Sequence, residues 1–171
     1  WKVLRNVVTP EPVTDCQPAH WRFDTVRAHL MKASTLITAK EAERRVLVLE
    51  NPAFRGQTKF TNSLFSGIQM VTPHDVAPAH RHTQSALRLV LESKGGITVV
   101  NGESTRMNLG DFVITPQWGW HDHSNDSDEP AFWQDVLDIP MVSFFTASFA
   151  EGFGEDSQPR DIPEGDSLAR Y

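Results

Sequence analysis

The sequence predicts an all-β domain preceded by a short helical segment, because short apolar runs alternate with turn residues. Residues 86–92 and 97–100 are rich in apolar and β-branched side chains, with the turn residues Lys-Gly-Gly between them. Asn101-Gly102 follows the second run, and this dipeptide strongly favours a β-hairpin. A further apolar run at 112–114 begins after Gly-Asp and ends at Thr-Pro. Short runs with such boundaries are typical of strands.

The helical segment is predicted within residues 1–45. Residues 18–34 carry apolar and charged side chains at helical spacing, which fits one amphipathic helix or two short ones. Thr38 is followed three residues later by Glu41, the pattern of a capping box at a second helix start. This second helix must be short, because residues 46–49 already read as a buried strand.

Composition limits the class of protein. The length of 171 residues suits one globular domain, and we assign its strand-rich part to 46–150. Residues 151–171 are rich in Gly, Pro, Asp, Glu and Ser, which indicates a linker or C-terminal tail. The net charge of −6 argues against a nucleic-acid partner, since no basic stripe is present. No apolar run approaches the length that crosses a membrane, and the single Cys16 fits a reducing cytoplasm.

Four of the seven histidines lie in two short segments, and this concentration indicates a metal site. His80 and His82 are two residues apart, so in a strand both imidazoles project from the same face. His121 and His123 repeat this spacing just after another predicted strand and turn. Three imidazoles suit Zn, Fe, Ni or Cu, so the histidines alone do not select the metal.

The histidine segments resemble the two sequence motifs of cupins. The second motif is a Gly, a Pro, a His and an Asn at fixed spacing, met here by Gly110, Pro116, His121 and Asn125. One position departs from it: the Gly usually found two residues after the Pro is Trp118. The first motif supplies its paired histidines as His80 and His82, but it lacks the Glu that many cupins use as a fourth ligand. The resemblance implies a cupin double-stranded β-helix, that is, a jelly-roll barrel.

Longer stretches resemble the gentisate 1,2-dioxygenase family, which includes salicylate and 1-hydroxy-2-naphthoate dioxygenases. The resemblance rests on residues 78–88, 110–116, 118–123 and 137–140, and it continues upstream through residues 36–52. Such enzymes are bicupins of roughly twice this length, with the metal site in the amino-terminal cupin. The resemblance therefore implies an amino-terminal half whose second cupin is absent.

The family resemblance implies an iron-dependent oxygenase. The expected primary ligands are the three neutral imidazoles of His80, His82 and His121, and the implied cofactor is Fe(II). The implied substrates are O2 and an ortho-hydroxy aromatic carboxylate that binds through its carboxylate and hydroxyl oxygens. The ring then opens between the carboxyl-bearing and hydroxyl-bearing carbons, which for gentisate would give maleylpyruvate.

Three further residues are expected to contact this substrate. A carboxylate that enters an apolar barrel needs a cation, and the planar fork of arginine matches it. Arg88 is the first candidate, because it lies in an otherwise apolar strand at a position where the family pattern also has Arg. Arg44 is a second candidate by the same correspondence, and Gln69 is expected to contact the phenolic oxygen.

The remaining candidates are expected to assist or to enclose the reaction. We expect His123 to carry a proton or donate a hydrogen bond near bound oxygen, since an unperturbed imidazole titrates near pH 6.5. Asp135 is expected to orient a ligand histidine or His123 through its second ring nitrogen. Trp118 is a candidate for contact with the substrate ring, together with Trp120 and Trp133, although aromatic residues at alternating positions are more often part of the core.

Two other functional classes remain open. The chain can be a cupin that uses a metal such as Zn or Mn in a non-oxidative reaction, in which case catalysis would consume no O2. It can also be a metal-binding fragment that is inactive alone, because active sites in oligomeric enzymes of this kind can include segments of the second cupin or of a neighbouring subunit. A barrel half without its usual neighbour would expose apolar surface, so we expect a homo-oligomer.

Overall fold

The computed structural model describes residues 1–170, apart from the side chains of residues 39 and 40, and it consists mainly of two antiparallel sheets. Sheet A has the order β1 (Arg45–Val48), β2 (Phe65–Val71), β9 (Ala131–Leu137), β4 (Ala86–Glu92) and β7 (Phe112–Thr115). Sheet B has the order β10 (Ala150–Gly152), β3 (Val76–His82), β8 (His121–Asn125), β5 (Gly96–Val100) and β6 (Glu103–Arg106). The chain crosses repeatedly between the sheets, as in a jelly roll, and the predicted cupin fold is confirmed.

The sheets enclose an inner core, and a helix covers the outside of sheet A. The inner cluster combines residues of both sheets, among them Val90 of β4, Ala77 of β3 and Trp133 of β9. The helix α1 (Phe23–Ser34) packs Val26 and Leu30 onto the outer side of β2 and β9. The predicted amphipathic helix is therefore confirmed, although it begins five residues later than residue 18.

The other helical elements are short. They are α2 (Ala39–Ala42), α3 (Ile139–Phe144), α4 (Asp166–Arg170) and two 3-10 turns at Leu4–Asn6 and Pro52–Phe54. The capping box at the start of α2 is confirmed, with the Thr38 hydroxyl accepting from the Glu41 N–H and the Glu41 carboxylate accepting from the Thr38 N–H. None of the described helices combines the length and the apolar composition needed to span a membrane.

Two local predictions can be compared directly with the strands. The Asn101-Gly102 hairpin joins β5 to β6, and both residues have positive φ angles, 48° and 87°, as this tight turn requires. The strand predicted as buried at 46–49 is only half-buried along β1. It is the edge strand of sheet A and pairs with β2 alone, so one long side meets no other strand.

The segment after residue 150, which its composition assigns to a linker or C-terminal tail, is bonded to sheet B. Strand β10 pairs with β3 and extends sheet B. Further along, the buried Gln158 accepts a hydrogen bond from the Gly102 N–H and donates one to the Val99 carbonyl. The Ile162 N–H then donates to the Gly102 carbonyl. Residues 150–162 therefore form a strap that is bonded to the outer side of sheet B.

Candidate metal centre

Three histidines from two neighbouring strands converge inside the barrel. Strands β3 and β8 are antiparallel, and His80 lies directly opposite His121. The imidazoles of His80, His82 and His121 offer nitrogen atoms that all lie within 4.8 Å of one another. Their ring centroids are 4.2 to 5.3 Å apart. This is the arrangement that the spacing of the histidines predicted.

A β-bulge in β3 aims the first two histidines inward. Ala77 packs in the inner core, so strict alternation would also turn residue 79 inward and residue 80 outward. The register between β3 and β8 shifts between Ala77 and His80, which reverses the alternation from His80 onward. Pro78 lies within this irregularity, where the missing N–H of proline is tolerated. The bulge therefore brings His80 and His82 to face His121.

Backbone carbonyls hold the second nitrogen of each imidazole. Nδ1 of His82 lies 2.9 Å from the Gln84 carbonyl oxygen, and Nδ1 of His121 lies 2.9 Å from the Gly119 carbonyl oxygen. Nδ1 of His80 lies 3.1 Å from the Pro78 carbonyl oxygen. A proton on each Nδ1 leaves each Nε2 with a free lone pair, as a metal ligand requires. We expected Asp135 to orient a ligand histidine or His123; on the three candidate ligand rings, carbonyls two residues away in the chain take this place.

The environment keeps the three imidazoles neutral. Burial, reinforced by nearby cationic groups, lowers the pKa of His80 to about 3 and that of His121 to about 2. Burial also lowers the pKa of His82. Nε2 of His121 is buried and has no hydrogen-bond partner among the described residues. A buried nitrogen with an unused lone pair is unusual in a folded protein, so these residues fit a metal ion.

Arg44 lies directly beside the histidines. Its Nη2 is 2.6 Å from Nδ1 of His80 and 3.1 Å from the Pro78 carbonyl oxygen. Burial lowers the pKa of Arg44 to about 10, so its guanidinium remains charged at neutral pH. Nδ1 of His80 can either donate to Pro78 or accept from Arg44, and only the first choice leaves Nε2 free for a metal.

Arg88 and Asp135 form a buried ion pair on the inner face of sheet A. The two residues are direct neighbours on β4 and β9, and their side chains are only 3% and 8% exposed. Nε of Arg88 lies 3.0 Å from Oδ1 of Asp135, but the atoms are out of line for a hydrogen bond. Nη1 of Arg88 donates to the Thr115 hydroxyl at 2.5 Å. Burial raises the pKa of Asp135, and the charges of Arg88 and Arg44 oppose this rise. Asp135 thus contacts an arginine rather than a histidine.

Comparison with known proteins agrees with this geometry. Residues 67–140 match the cupin domain family. The chain is 58% identical over 171 residues to gentisate 1,2-dioxygenase 1 of Aquipseudomonas alcaligenes, a match that covers all of this chain and 49% of that protein. It is 35% identical over 164 residues to the 5-aminosalicylate 1,2-dioxygenase of a Comamonas species, covering 94% of this chain and 44% of that protein.

A solved structure shows the same fold. The salicylate 1,2-dioxygenase of Pseudaminobacter salicylatoxidans superposes with a TM-score of 0.87 at 34% identity, covering all of this chain and 50% of that one. This chain belongs to the gentisate 1,2-dioxygenase family of cupins. It spans about half the length of these two curated relatives.

Other polar residues of this family member face the barrel interior without partners. His123 is fully buried, its ring centroid lies 5.8 Å from that of His121, and neither of its nitrogens has a hydrogen-bond partner within residues 1–170. Nε2 of the buried Gln69 is also unpaired within that range. Burial lowers the pKa of His123 well below its ordinary value. The ring is therefore neutral at pH 7, and a neutral imidazole still offers one N–H donor. The expected role of His123 as a proton carrier or hydrogen-bond donor stays a prediction.

The three candidate tryptophans separate into two environments. Trp133 is fully buried, and its ring centroid lies 5.3 Å from that of His123. The ring of Trp118 instead packs on Phe149 and on Arg81, whose side chain leaves β3 on the face opposite to His80 and His82. The structure therefore does not bring Trp118 to the inner face where the other candidates lie. The sequence left Trp133 as a candidate for either the substrate wall or the core, because a tryptophan in a strand gives no local sign of which group it will contact.

Proposed function

We propose that this chain carries the metal centre of a ring-cleaving, non-haem Fe(II) dioxygenase. Its substrate would be gentisate or a related ortho-hydroxy aromatic carboxylate. The ring would open between the carboxyl-bearing and hydroxyl-bearing carbons, with both atoms of O2 entering the product. The observation that carries this proposal is the combination of three neutral imidazoles with two inward arginines, Arg44 and Arg88, beside them.

The arginines support an anionic aromatic substrate. Arg88 is held by Asp135 and Thr115, so its position is fixed, whereas the side-chain hydrogen bonds of Arg44 among the described residues go only to a ring nitrogen and a carbonyl oxygen. A substrate carboxylate would give Arg44 the negatively charged partner that it lacks. Arginine can bind a carboxylate through two parallel N–H groups, which would orient the ring as well as hold it.

Other chain residues would orient the substrate's oxygen atoms. When bound, Fe(II) would supply the redox chemistry that lets an electron-rich ring react with O2. His123 is neutral and offers one N–H donor and one nitrogen acceptor. Gln69 offers the unpaired N–H donors of its side-chain amide. These groups would bind the phenolic oxygen and keep O2-derived oxygen atoms within a region that excludes water.

Relatives support the substrate class. They are named gentisate, 5-aminosalicylate and 1-hydroxy-2-naphthoate 1,2-dioxygenases, and one solved relative is a salicylate 1,2-dioxygenase with gentisate as an adduct. All of these aromatic compounds carry a hydroxyl group next to a carboxylate. This shared pair of oxygens fits a centre that combines an open metal face with arginines.

The test is reconstitution of the chain with Fe(II) without oxygen, followed by O2 uptake with gentisate, salicylate and 1-hydroxy-2-naphthoate. We expect one O2 consumed for each substrate molecule that is opened, together with a change in product absorbance. The His121→Ala variant is the control, and it should neither retain iron nor consume O2. Bound iron without O2 uptake would contradict oxygenase activity of this chain, and would favour a non-oxidative cupin or a unit that needs the rest of its relatives' length.

Self-association of the chain stays a prediction. The outer face of sheet A at its β7 edge exposes Phe112 by 59% and Ile114 by 64%, and Leu109 in the preceding turn is 72% exposed. Contiguous apolar surface of this kind is typical of protein interfaces. Sedimentation at micromolar concentration should therefore show a homo-oligomer, and a strictly monomeric mass would contradict the expectation.

A further inference from the structure

A cation is held between two aromatic rings on the outer side of sheet B. The Arg81 guanidinium carbon lies 4.4 Å from the ring centroid of Trp118 and 4.3 Å from that of Trp120. Nε and Nη2 of Arg81 also donate to the Glu151 carboxylate at 2.9 and 2.6 Å, directly across the β3–β10 pair. We call Arg81, Trp118 and Trp120 the arginine clamp. It joins β3 to the loop that leads into β8.

The arginine clamp and the three histidines lie on opposite faces of sheet B. Arg81 stands between His80 and His82 in β3, and Trp120 directly precedes His121, so alternation places the clamp and the ligands on opposite faces. The Trp118 N–H also donates to the carbonyl of His82 at 2.8 Å. The two segments that carry the metal ligands are therefore connected behind the centre by side-chain stacking and by a backbone hydrogen bond.

Trp118 occupies a backbone position that favours glycine. Its φ angle is +62°, in the left-handed region, and the cupin motif usually has Gly at this place. A tryptophan is unfavourable there unless its side chain makes compensating contacts. Its ring contacts are Arg81 and Phe149. The residue that departs from the motif, Trp118, is thus also the residue that stacks on Arg81.

We propose that the arginine clamp positions the metal ligands, with Arg81 as the positioning residue. The inference rests on the proposed metal centre and adds a group that acts on it from outside the barrel. Metal affinity depends on the spacing between the His80 and His82 segment and the His121 segment, and the planar guanidinium fixes that spacing by stacking on both indoles. Lysine would keep the charge but not the plane.

The experiment measures binding of Co(II), used as a spectroscopic probe, by competition with a chelator. Arg81→Lys removes the planar stack, and Trp118→Gly restores the motif glycine while removing the ring. Both should weaken Co(II) binding by about tenfold or more and change the visible absorption of the bound metal. Trp118→Phe keeps an aromatic face and should restore affinity close to that of the unmodified chain.

Two controls separate positioning from general stability. Arg106 forms an exposed ion pair with Asp126 on the same sheet, with no aromatic ring stacked on it among the described residues, so Arg106→Lys should leave Co(II) binding unchanged. Thermal unfolding of the metal-free variants should remain within a few degrees of the unmodified chain. Should Arg81→Lys fail to fold, the difference in Co(II) affinity between Trp118→Gly and Trp118→Phe tests the positioning role.

The results distinguish a failure of the clamp proposal from a failure of the proposed metal centre. If the unmodified chain binds Co(II) and the Arg81 and Trp118 variants bind it equally well with the same spectrum, the arginine clamp has no positioning role. A loss of affinity that only follows a collapse of thermal stability would overturn the proposal as well. If the unmodified chain binds no Co(II), the metal centre itself is refuted, and the clamp proposal falls with it.

Discussion

Replacement of Arg88 by methionine tests the buried ion pair most directly. The Arg88 and Asp135 side chains are 3% and 8% exposed and lie 3.0 Å apart, so Arg88→Met leaves a carboxylate buried without its cation. Breaking a buried pair in this way typically destabilises a protein by about 3–5 kcal/mol. The whole free energy of unfolding of such a domain is about 5–15 kcal/mol. The loss should therefore be large at pH 7.

Urea unfolding of the metal-free chain measures this loss, and two further variants identify its cause. The double variant Arg88→Met with Asp135→Leu removes the stranded charge and should regain most of the lost stability. The stability of Arg88→Lys should lie between that of the unmodified chain and that of Arg88→Met. Lysine keeps the charge but cannot hold both Asp135 and Thr115 in the same geometry. A loss below about 1 kcal/mol in Arg88→Met, or no recovery in the double variant, would refute the reasoning.

The pH dependence of Arg88→Met supplies an internal check. Burial raises the pKa of Asp135 in the folded chain, and the charge of Arg88 opposes that rise. Without Arg88, the pKa of Asp135 in the folded variant should therefore be higher still. A folded state that binds a proton more tightly than the unfolded state gains stability as the pH falls. The deficit of Arg88→Met should therefore shrink from pH 7 to pH 5, whereas a simple packing defect would be independent of pH.

Three other predictions concern stability. In the metal-free chain, the folded pKa values of about 3 for His80 and about 2 for His121 lie below the unfolded value. The unfolded chain therefore gains protons first below pH 6.5, and the free energy of unfolding should fall by about 4 kcal/mol by pH 5; a flat profile would contradict this. Gln158→Ala should lose about 2–4 kcal/mol in urea unfolding because its buried amide bonds to sheet B, while Arg160→Ala on the exposed part of the strap should lose little. Asn125→Ala should lose about 2–3 kcal/mol by the same assay, because its buried amide donates both to the end of β2 and to the loop between β8 and β9, and a loss near zero would refute that role.

The clustering of His80, His82 and His121 could be predicted because its geometry is mostly local. Residues two apart in a strand share a face, and this property of the backbone needs no knowledge of distant contacts. The bulge that actually turns His80 inward also has a local signal, since Pro78 inside a strand indicates an irregular pair. The carbonyls of Gln84 and Gly119 that hold two of the rings lie two residues from them, but which carbonyl meets which nitrogen depends on the bends of each loop.

The partners of Arg88 and of the C-terminal strap could not be predicted, because they depend on pairing between distant parts of the chain. Arg88 and Asp135 are 47 positions apart in the sequence, and only the pairing of β4 with β9 makes them neighbours. The strap is rich in residues that favour turns, and its order comes from hydrogen bonds to sheet B rather than from local propensity. Trp118 was assigned to the substrate side, because the sequence does not reveal that a left-handed residue turns its ring toward Arg81.

The charges beside the metal centre favour an anionic ligand. Among the described residues at this site, Arg44 and Arg88 supply two cations and Asp135 supplies one carboxylate, while the histidines are neutral. A buried excess of positive charge is unfavourable, and a divalent metal would increase it. A ligand with a carboxylate and an ionisable hydroxyl would offset both contributions, whereas the corresponding neutral amide would not. Gentisate should therefore bind far more tightly than its carboxamide, and equal affinities would show that charge does not select the ligand.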